Sequence, residues 1–150
     1  HEGEYARSNR AVVYARVSSH DQGDDLDRQA ERVREFAIKN GYHVVKVVKE
    51  IGSGLNGRRR KLISILSEND IDVIIVEHRD RLMRFGSEYV IAALSAVGRK
   101  VVVCDDTEFE DDLVQDMIDI LTSFCGRIYG RRSARRRAER AVEAMQDEDQ

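Results

Sequence analysis

The sequence has no proline and no tryptophan, and only two cysteines among its 150 residues. Without proline, glycine and polar clusters are left as the breakers between elements. The two cysteines, Cys104 and Cys125, lie far apart, and Cys104 sits in an apolar run. That spacing argues against a disulfide framework or a metal site and for packed, reduced thiols in a cytoplasmic protein. No apolar run is long enough to cross a bilayer, and no signal-peptide pattern is present. A basic excess is missing too. The net charge is −3, so affinity for nucleic acid has to come from how the charge is distributed.

What is present is a hydrophobic share of 41% beside a charged share of 35%. This fits one ordinary globular domain with a sizeable core and a long, exposed, charged element. Residues 1–10 read as a linker or the scar of a truncation, 11–110 as an α/β core, and 111–150 as a long helix with an acidic tail.

Within the core, strand-like runs at 11–17, 43–49, 72–76 and 100–104 alternate with helical stretches. A stub at Glu108 and Phe109 is a weak fifth strand. Leu26, Ala30, Val33, Ala37 and Ile38 are spaced for one apolar face of a helix over about 27–39, stopped by Asn40-Gly41. Residues 52–57 form a glycine-rich loop, and Arg58, Arg59, Arg60 and Lys61 open a helix to about Ser67. The run at 72–76 is nearly all β-branched and reads as a central strand. Ser87 is a plausible N-cap for a helix to Val97. The alternation predicts a mainly parallel sheet of four to five strands with helices on both faces.

Polar sequence then gathers at the C-terminal ends of the first three strands, the edge where ligands bind in such sheets. At the end of the first strand lie Arg16 and Ser18. An arginine fork beside a hydroxyl suits a nucleophile next to a phosphoryl group. After the third strand come Asp80, Arg81 and Arg84, whose two arginines share a face on a helical turn. Two forks on one face can hold the non-bridging oxygens of a phosphodiester. A solvated turn with local ion pairs is the plain alternative.

From Asp111 onward Leu113, Met117, Ile120, Leu121, Phe124 and Ile128 recur at helical spacing. A single helix of some 35 residues would span about 52 Å. Its second half carries Arg127, Arg131, Arg132, Arg135, Arg136, Arg137 and Arg140, of which 127/131/135 and 132/136/140 form two stripes at four-residue spacing. The acidic group Asp105, Asp106, Glu108, Glu110, Asp111 and Asp112 precedes the helix, where negative charge is stabilising.

Taken together, Tyr14-Ala-Arg-Val-Ser-Ser19, Asp25-Leu-Asp-Arg-Gln29, Gly52-Ser-Gly54 with Arg59, and Asp80-Arg-Leu-Met-Arg84 resemble the catalytic domain of the serine recombinases, the resolvase/invertase superfamily. The stretches 77–81 and 123–132 look most like its transposon-encoded branch, in which a helix-turn-helix domain precedes the catalytic one. The resemblance implies a three-layer α/β fold and metal-independent DNA cleavage and rejoining through a 5′-phosphoserine, without a cofactor. Ser18 would be the nucleophile. Arg16, Arg81 and Arg84 would hold the scissile phosphate, with Arg59 a further contact. Asp80 and Gln29 would position the network, and Tyr14 and Gln22 would support it. Ser19 is the wrong choice, because alternation points it away from Ser18. His78 stands where many resolvases have lysine.

The resemblance also implies a homodimer, a tetramer when active, on double-stranded DNA at transposon ends and target. Leu113, Met117, Leu121 and Phe124 would form the dimer face, and the seven arginines would contact DNA. Two rival readings stand beside it: a non-catalytic phosphate- or nucleotide-binding regulatory module, and a metal-dependent nuclease built on Asp105 and Asp106.

Overall fold

The computed structural model describes residues 9–54 and 59–148. Residues 1–8 of the linker expected at 1–10, the loop residues Leu55, Asn56 and Gly57 with Arg58, and the last two residues of the acidic tail lie outside them; Arg10 belongs to the first strand. The chain forms two compact units, divided between Glu108 and Phe109.

In the first unit the strands are β1 (Arg10–Val17), β2 (His43–Ile51), β3 (Val73–Val76) and β4 (Lys100–Val103). All pair in parallel, in the order β2-β1-β3-β4. The helices are α1 (Gly23–Lys39), α2 (Arg60–Ser67), the short α3 (Arg79–Leu82) and α4 (Ser87–Ala96). A 3₁₀ turn, His20–Gln22, leads into α1.

Burial explains the strand pattern. On β1, Ala11 to Val17 are all buried, as an interior strand covered on both faces requires. Val12 and Tyr14 pack with Leu62, Ile65, Ile74, Leu82 and Leu94. Ala11 and Val13 pack with Val33, Ala37, Val73 and Ile75, while Ala15 and Val17 meet Leu26 and Ala30 of α1. Odd positions thus face α1 and even positions face α2 and α4, following the two-residue period of a strand. Arg16 falls on the even side.

The order of the strands decides where a site can form. From β1 the chain goes to β2 on one side and then crosses to β3 on the other. The crevice at such a reversal, beyond the strand C-termini, is the open end of the sheet. β3 pairs with β1 only as far as Ile75 opposite Val13. The last turn of β1 therefore projects past its neighbour.

Several details differ from the sequence-based expectation. α1 starts at Gly23, ahead of the apolar face, because the polar turn runs directly into it. The short apolar run at 100–104 reads as a buried strand, but β4 is half-buried, since it is an edge of the sheet. Residues 108 and 109 form no strand. α4 is capped by Gly86, at φ +78°, a left-handed conformation that glycine adopts without strain, so Ser87 is the first helical residue.

The second unit corrects the single long helix. It holds α5 (Leu113–Tyr129) and α6 (Ala134–Glu148), which pack on each other. Gly130 ends α5 with φ +86° and ψ 164°, a backbone region that is essentially glycine-only. Tyr129 and Arg137 stack across the break at 4.1 Å. No proline announced this turn; the glycine did the breaking.

Candidate active site

The site is assembled around the end of β1. Arg16 is fully buried. Its Nη1 donates to Ser18 Oγ at 3.2 Å and to the Gly52 carbonyl at 3.0 Å. Its Nε donates to the Arg81 carbonyl at 3.0 Å, and its Nη2 to the Asp80 carbonyl. One guanidinium thus joins β1, the loop after β2, and α3. Ser18 is half-buried at the mouth of the crevice.

Gln29 reaches from α1 to the backbone of Arg16. Its Oε1 accepts from Arg16 N, and its Nε2 donates to Arg16 O, each at 3.0 Å. Where β3 has ended, this side-chain amide does the work of a neighbouring strand, satisfying buried backbone groups that otherwise destabilise the fold.

The Asp80 carboxylate gathers two arginines. Its Oδ2 lies 3.0 Å from Arg81 Nη2 and 3.3 Å from Arg84 Nη1. Arg81 Nη1 also donates to Arg16 O at 2.8 Å. Both guanidiniums are fully buried. Arg84 is tied in by its backbone as well, its N–H donating to Gly54 O at 2.8 Å. A Cβ on Gly54 would sit 2.7 Å from Arg16 Nη2 and 2.9 Å from Arg84 Cβ. The close approach of this loop therefore requires glycine.

Arg59 approaches from the start of α2. It donates to Tyr14 Oη and to the Arg81 carbonyl, each at 3.2 Å, and to the Leu82 carbonyl. Burial pushes the Tyr14 phenol up, against the pull of Arg59; its hydrogen bond to Glu50 also raises it. It is held as a neutral phenol and is not a base.

Sequence reasoning missed Glu50. Its Oε1 accepts from Tyr14 Oη at 2.7 Å and from Leu62 N at 3.1 Å, and its Oε2 accepts from Lys61 N at 2.8 Å. It joins the Tyr14–Arg59 pair to the N-terminal end of α2, where a carboxylate is favoured. The available signal was an acid at the end of an otherwise apolar and lysine-bearing strand.

Ser18, Arg16, Gln29, Asp80, Arg81, Arg84, Arg59 and Tyr14 therefore form one connected network. Gln22 stands beside it: its Oε1 accepts from Ser19 N at 3.2 Å and Ser19 Oγ at 3.0 Å. Ser19 is engaged by this turn and by Asp21. His78 is turned to another use, with its Nδ1 2.8 Å from the Thr107 carbonyl.

The acids offered to a metal are engaged elsewhere. Asp105 accepts from Thr107 N at 2.9 Å and Thr107 Oγ1 at 2.8 Å. These bonds, the backbone one most, hold its carboxyl below the usual range. Asp106 lies 3.7 Å from Arg79. Cys104 is a free thiol pushed up to about 11, by burial first and then by Glu77 and Asp105.

The description "Resolvase, N terminal domain" matches residues 11–147. The chain belongs to the resolvase N-terminal domain family. This resolvase-family chain is 57% identical to the C-terminal catalytic domain of IS1535 TnpA, an IS607-like serine recombinase, with a TM-score of 0.81 over 89% of this chain and 97% of that one. It is 42% identical to the catalytic domain of ISC1926 TnpA, also an IS607-like serine recombinase, with a TM-score of 0.74 over 92% and 96% of the two chains. An uncharacterized protein of Mycobacterium tuberculosis shares 48% identity over 142 residues, which are 95% of this chain and 48% of that protein. The chain thus spans about half the length of the curated relatives it matches first. These comparisons favour neither the regulatory module nor the metal-dependent nuclease.

In the second unit of this resolvase-family chain, Leu113, Met117 and Leu121 are half-buried and Phe124 is 60% exposed. Arg127 lies on α5, Arg131 and Arg132 on the turn, and Arg135, Arg136, Arg137 and Arg140 on α6; all seven are exposed. The turn interrupts both arginine stripes, so they do not line one continuous rod. None of the helices among the described residues is long and apolar enough to cross a membrane.

Proposed function

We propose that this chain is the catalytic domain of a site-specific DNA recombinase or transposase, acting in the cytoplasm on double-stranded DNA at transposon ends and target. The observation that carries this reading is the placement of the Ser18 hydroxyl at the open end of the sheet. It lies 3.2 Å from a guanidinium nitrogen of Arg16, and Arg16 is bonded in turn to the Arg81 carbonyl.

Ser18 Oγ attacks the phosphorus of a DNA phosphodiester. The P–O bond to the 3′ oxygen breaks as the O–P bond to serine forms. The serine proton is lost and the departing oxygen leaves as a 3′ hydroxyl, so one phosphodiester is exchanged for another and the bond is kept for rejoining. Arg84 and Arg81 offset the charge that develops on the phosphoryl oxygens, with Arg59 a further contact once released from the backbone. No metal or cofactor takes part. Asp80 and Gln29 position the arginines, and Tyr14 and Gln22 support them.

The rest of the assembly follows the same reading. Leu113, Met117, Leu121 and Phe124 form a face for a second copy, the homodimer pairing into a tetramer when active. The arginines from Arg127 to Arg140 contact DNA phosphates. A denaturing gel of the protein incubated with transposon-end DNA tests the proposal. A covalent protein–DNA adduct that resists chelator and disappears in Ser18→Ala is the expected result. No adduct, or one that persists in Ser18→Ala, overturns it.

A further inference from the structure

The Arg84 side chain is fully buried, yet a phosphate contact has to be reachable. Among the described residues, the Gly54 loop, Asp80 and Glu108 all meet it. Asp80 is itself buried and also holds Arg81. Glu108 is different. Its side chain is 57% exposed, and its Oε1 lies 3.4 Å from Arg84 Nη1.

Glu108 does not act alone. Three consecutive residues each meet a residue at or beside α3. Asp106 pairs with Arg79 at 3.7 Å. The Thr107 carbonyl lies 2.8 Å from His78 Nδ1; a carbonyl only accepts, so this nitrogen carries the proton. Glu108 pairs with Arg84. Asp105 stiffens the stretch by accepting from both Thr107 N and Thr107 Oγ1. The result is an acidic strap laid along the segment that carries Asp80, Arg81 and Arg84.

We infer that residues 105–108 are an internal anionic cover, in which the Glu108 carboxylate takes the position on Arg84 that a DNA phosphate oxygen takes in the working complex. The chemistry is matched: a carboxylate and a phosphodiester each offer a guanidinium two acceptor oxygens. The exposure is suited to exchange as well. Only the Arg84 half of the pair is buried; the Glu108 carboxylate stays in contact with water, so a polyanion can reach the pair and displace it. His78 is the clasp at the middle of the strap. This inference rests on the reading of Arg84 as a phosphate contact.

Phenylglyoxal labelling of the 150-residue chain, read peptide by peptide by mass spectrometry, tests it. Glu108→Gln removes the carboxylate, and His78→Ala releases the clasp while leaving Glu108 in place. Both are expected to label Arg84 at least about twofold faster than the unaltered chain, with Arg81 labelled no faster. Unchanged Arg84 labelling in both variants overturns the inference. So does a parallel rise at Arg81, which marks general loosening. Adding duplex DNA to Glu108→Gln separates the two levels of the argument. Protection of Arg84 supports both; fast labelling that DNA leaves unchanged keeps the strap and removes Arg84 from the phosphate site.

Discussion

Arg16 and Arg81 hold each other by the backbone. The Arg16 guanidinium donates to the carbonyl of Arg81 at 3.0 Å, and the Arg81 guanidinium donates to the carbonyl of Arg16 at 2.8 Å. The two residues are 65 positions apart in sequence, and this reciprocal pair ties the end of the first strand to the exit of the third. Each buried cation is stabilised by carbonyl dipoles, and Arg81 also by the Asp80 carboxylate.

The first prediction concerns choice of hydroxyl. Ser18→Ala abolishes the DNA adduct. Ser19→Ala retains it, because Ser19 is engaged with Asp21 and Gln22 and not with Arg16. A denaturing gel with both variants decides the matter; an adduct in Ser18→Ala but not in Ser19→Ala reverses the assignment.

Gln29→Ala destabilises the chain by about 2 kcal/mol, since it leaves the Arg16 amide buried without its acceptor. Urea unfolding measures this as a lower midpoint. A loss below about 0.5 kcal/mol, the size typical of a plain surface change, removes Gln29 from its strand-like role.

Gly54→Ala pushes a methyl group against the Arg16 guanidinium and the Arg84 stem. It lowers stability by roughly 1–3 kcal/mol, as overpacking does, and reduces adduct formation. Gly23→Ala, where nothing lies within 4 Å of the new Cβ, is the control and leaves the adduct in place.

Gly130→Ala tests the break between α5 and α6. A side chain at that φ and ψ is strained by about 1–3 kcal/mol, while a continuous helix accommodates alanine freely. Spin labels on α5 and α6 are expected to move apart and helicity to rise. Unchanged label distances show that the turn is held by packing and not by the glycine.

Cys104 reacts slowly with iodoacetamide at neutral pH. Its folded value of about 11 lies above the ordinary 9.0, so the thiolate is scarce at pH 8 and grows as pH rises toward 11. Alkylation followed by mass spectrometry gives the profile; a midpoint at or below 9 contradicts the burial of this thiol.

Much of this was legible beforehand, and for identifiable reasons. Residues 11–17 and 72–76 read as buried strands because short apolar runs bounded by polar turns, the second nearly all β-branched, have few other uses. Arg16, Ser18, Asp80, Arg81 and Arg84 lay where the first and third of those strands end. The break at Gly130 was hidden because one glycine among strong helix formers leaves the periodicity intact. Glu50 and Glu108 were hidden for another reason. Each acts on a residue 24 or more positions distant, Tyr14 at 36 and Arg84 at 24, and no local pattern records such a partner.

The burial of β1 on both faces has a mechanical consequence. A strand clamped between helical layers is a poor moving part, so the serine that directly follows it serves as the anvil, and rearrangement falls to the pieces around it. Altering reach or selectivity in such a domain is therefore a matter of redesigning the surrounding loops, with the first strand left untouched as the fixed datum.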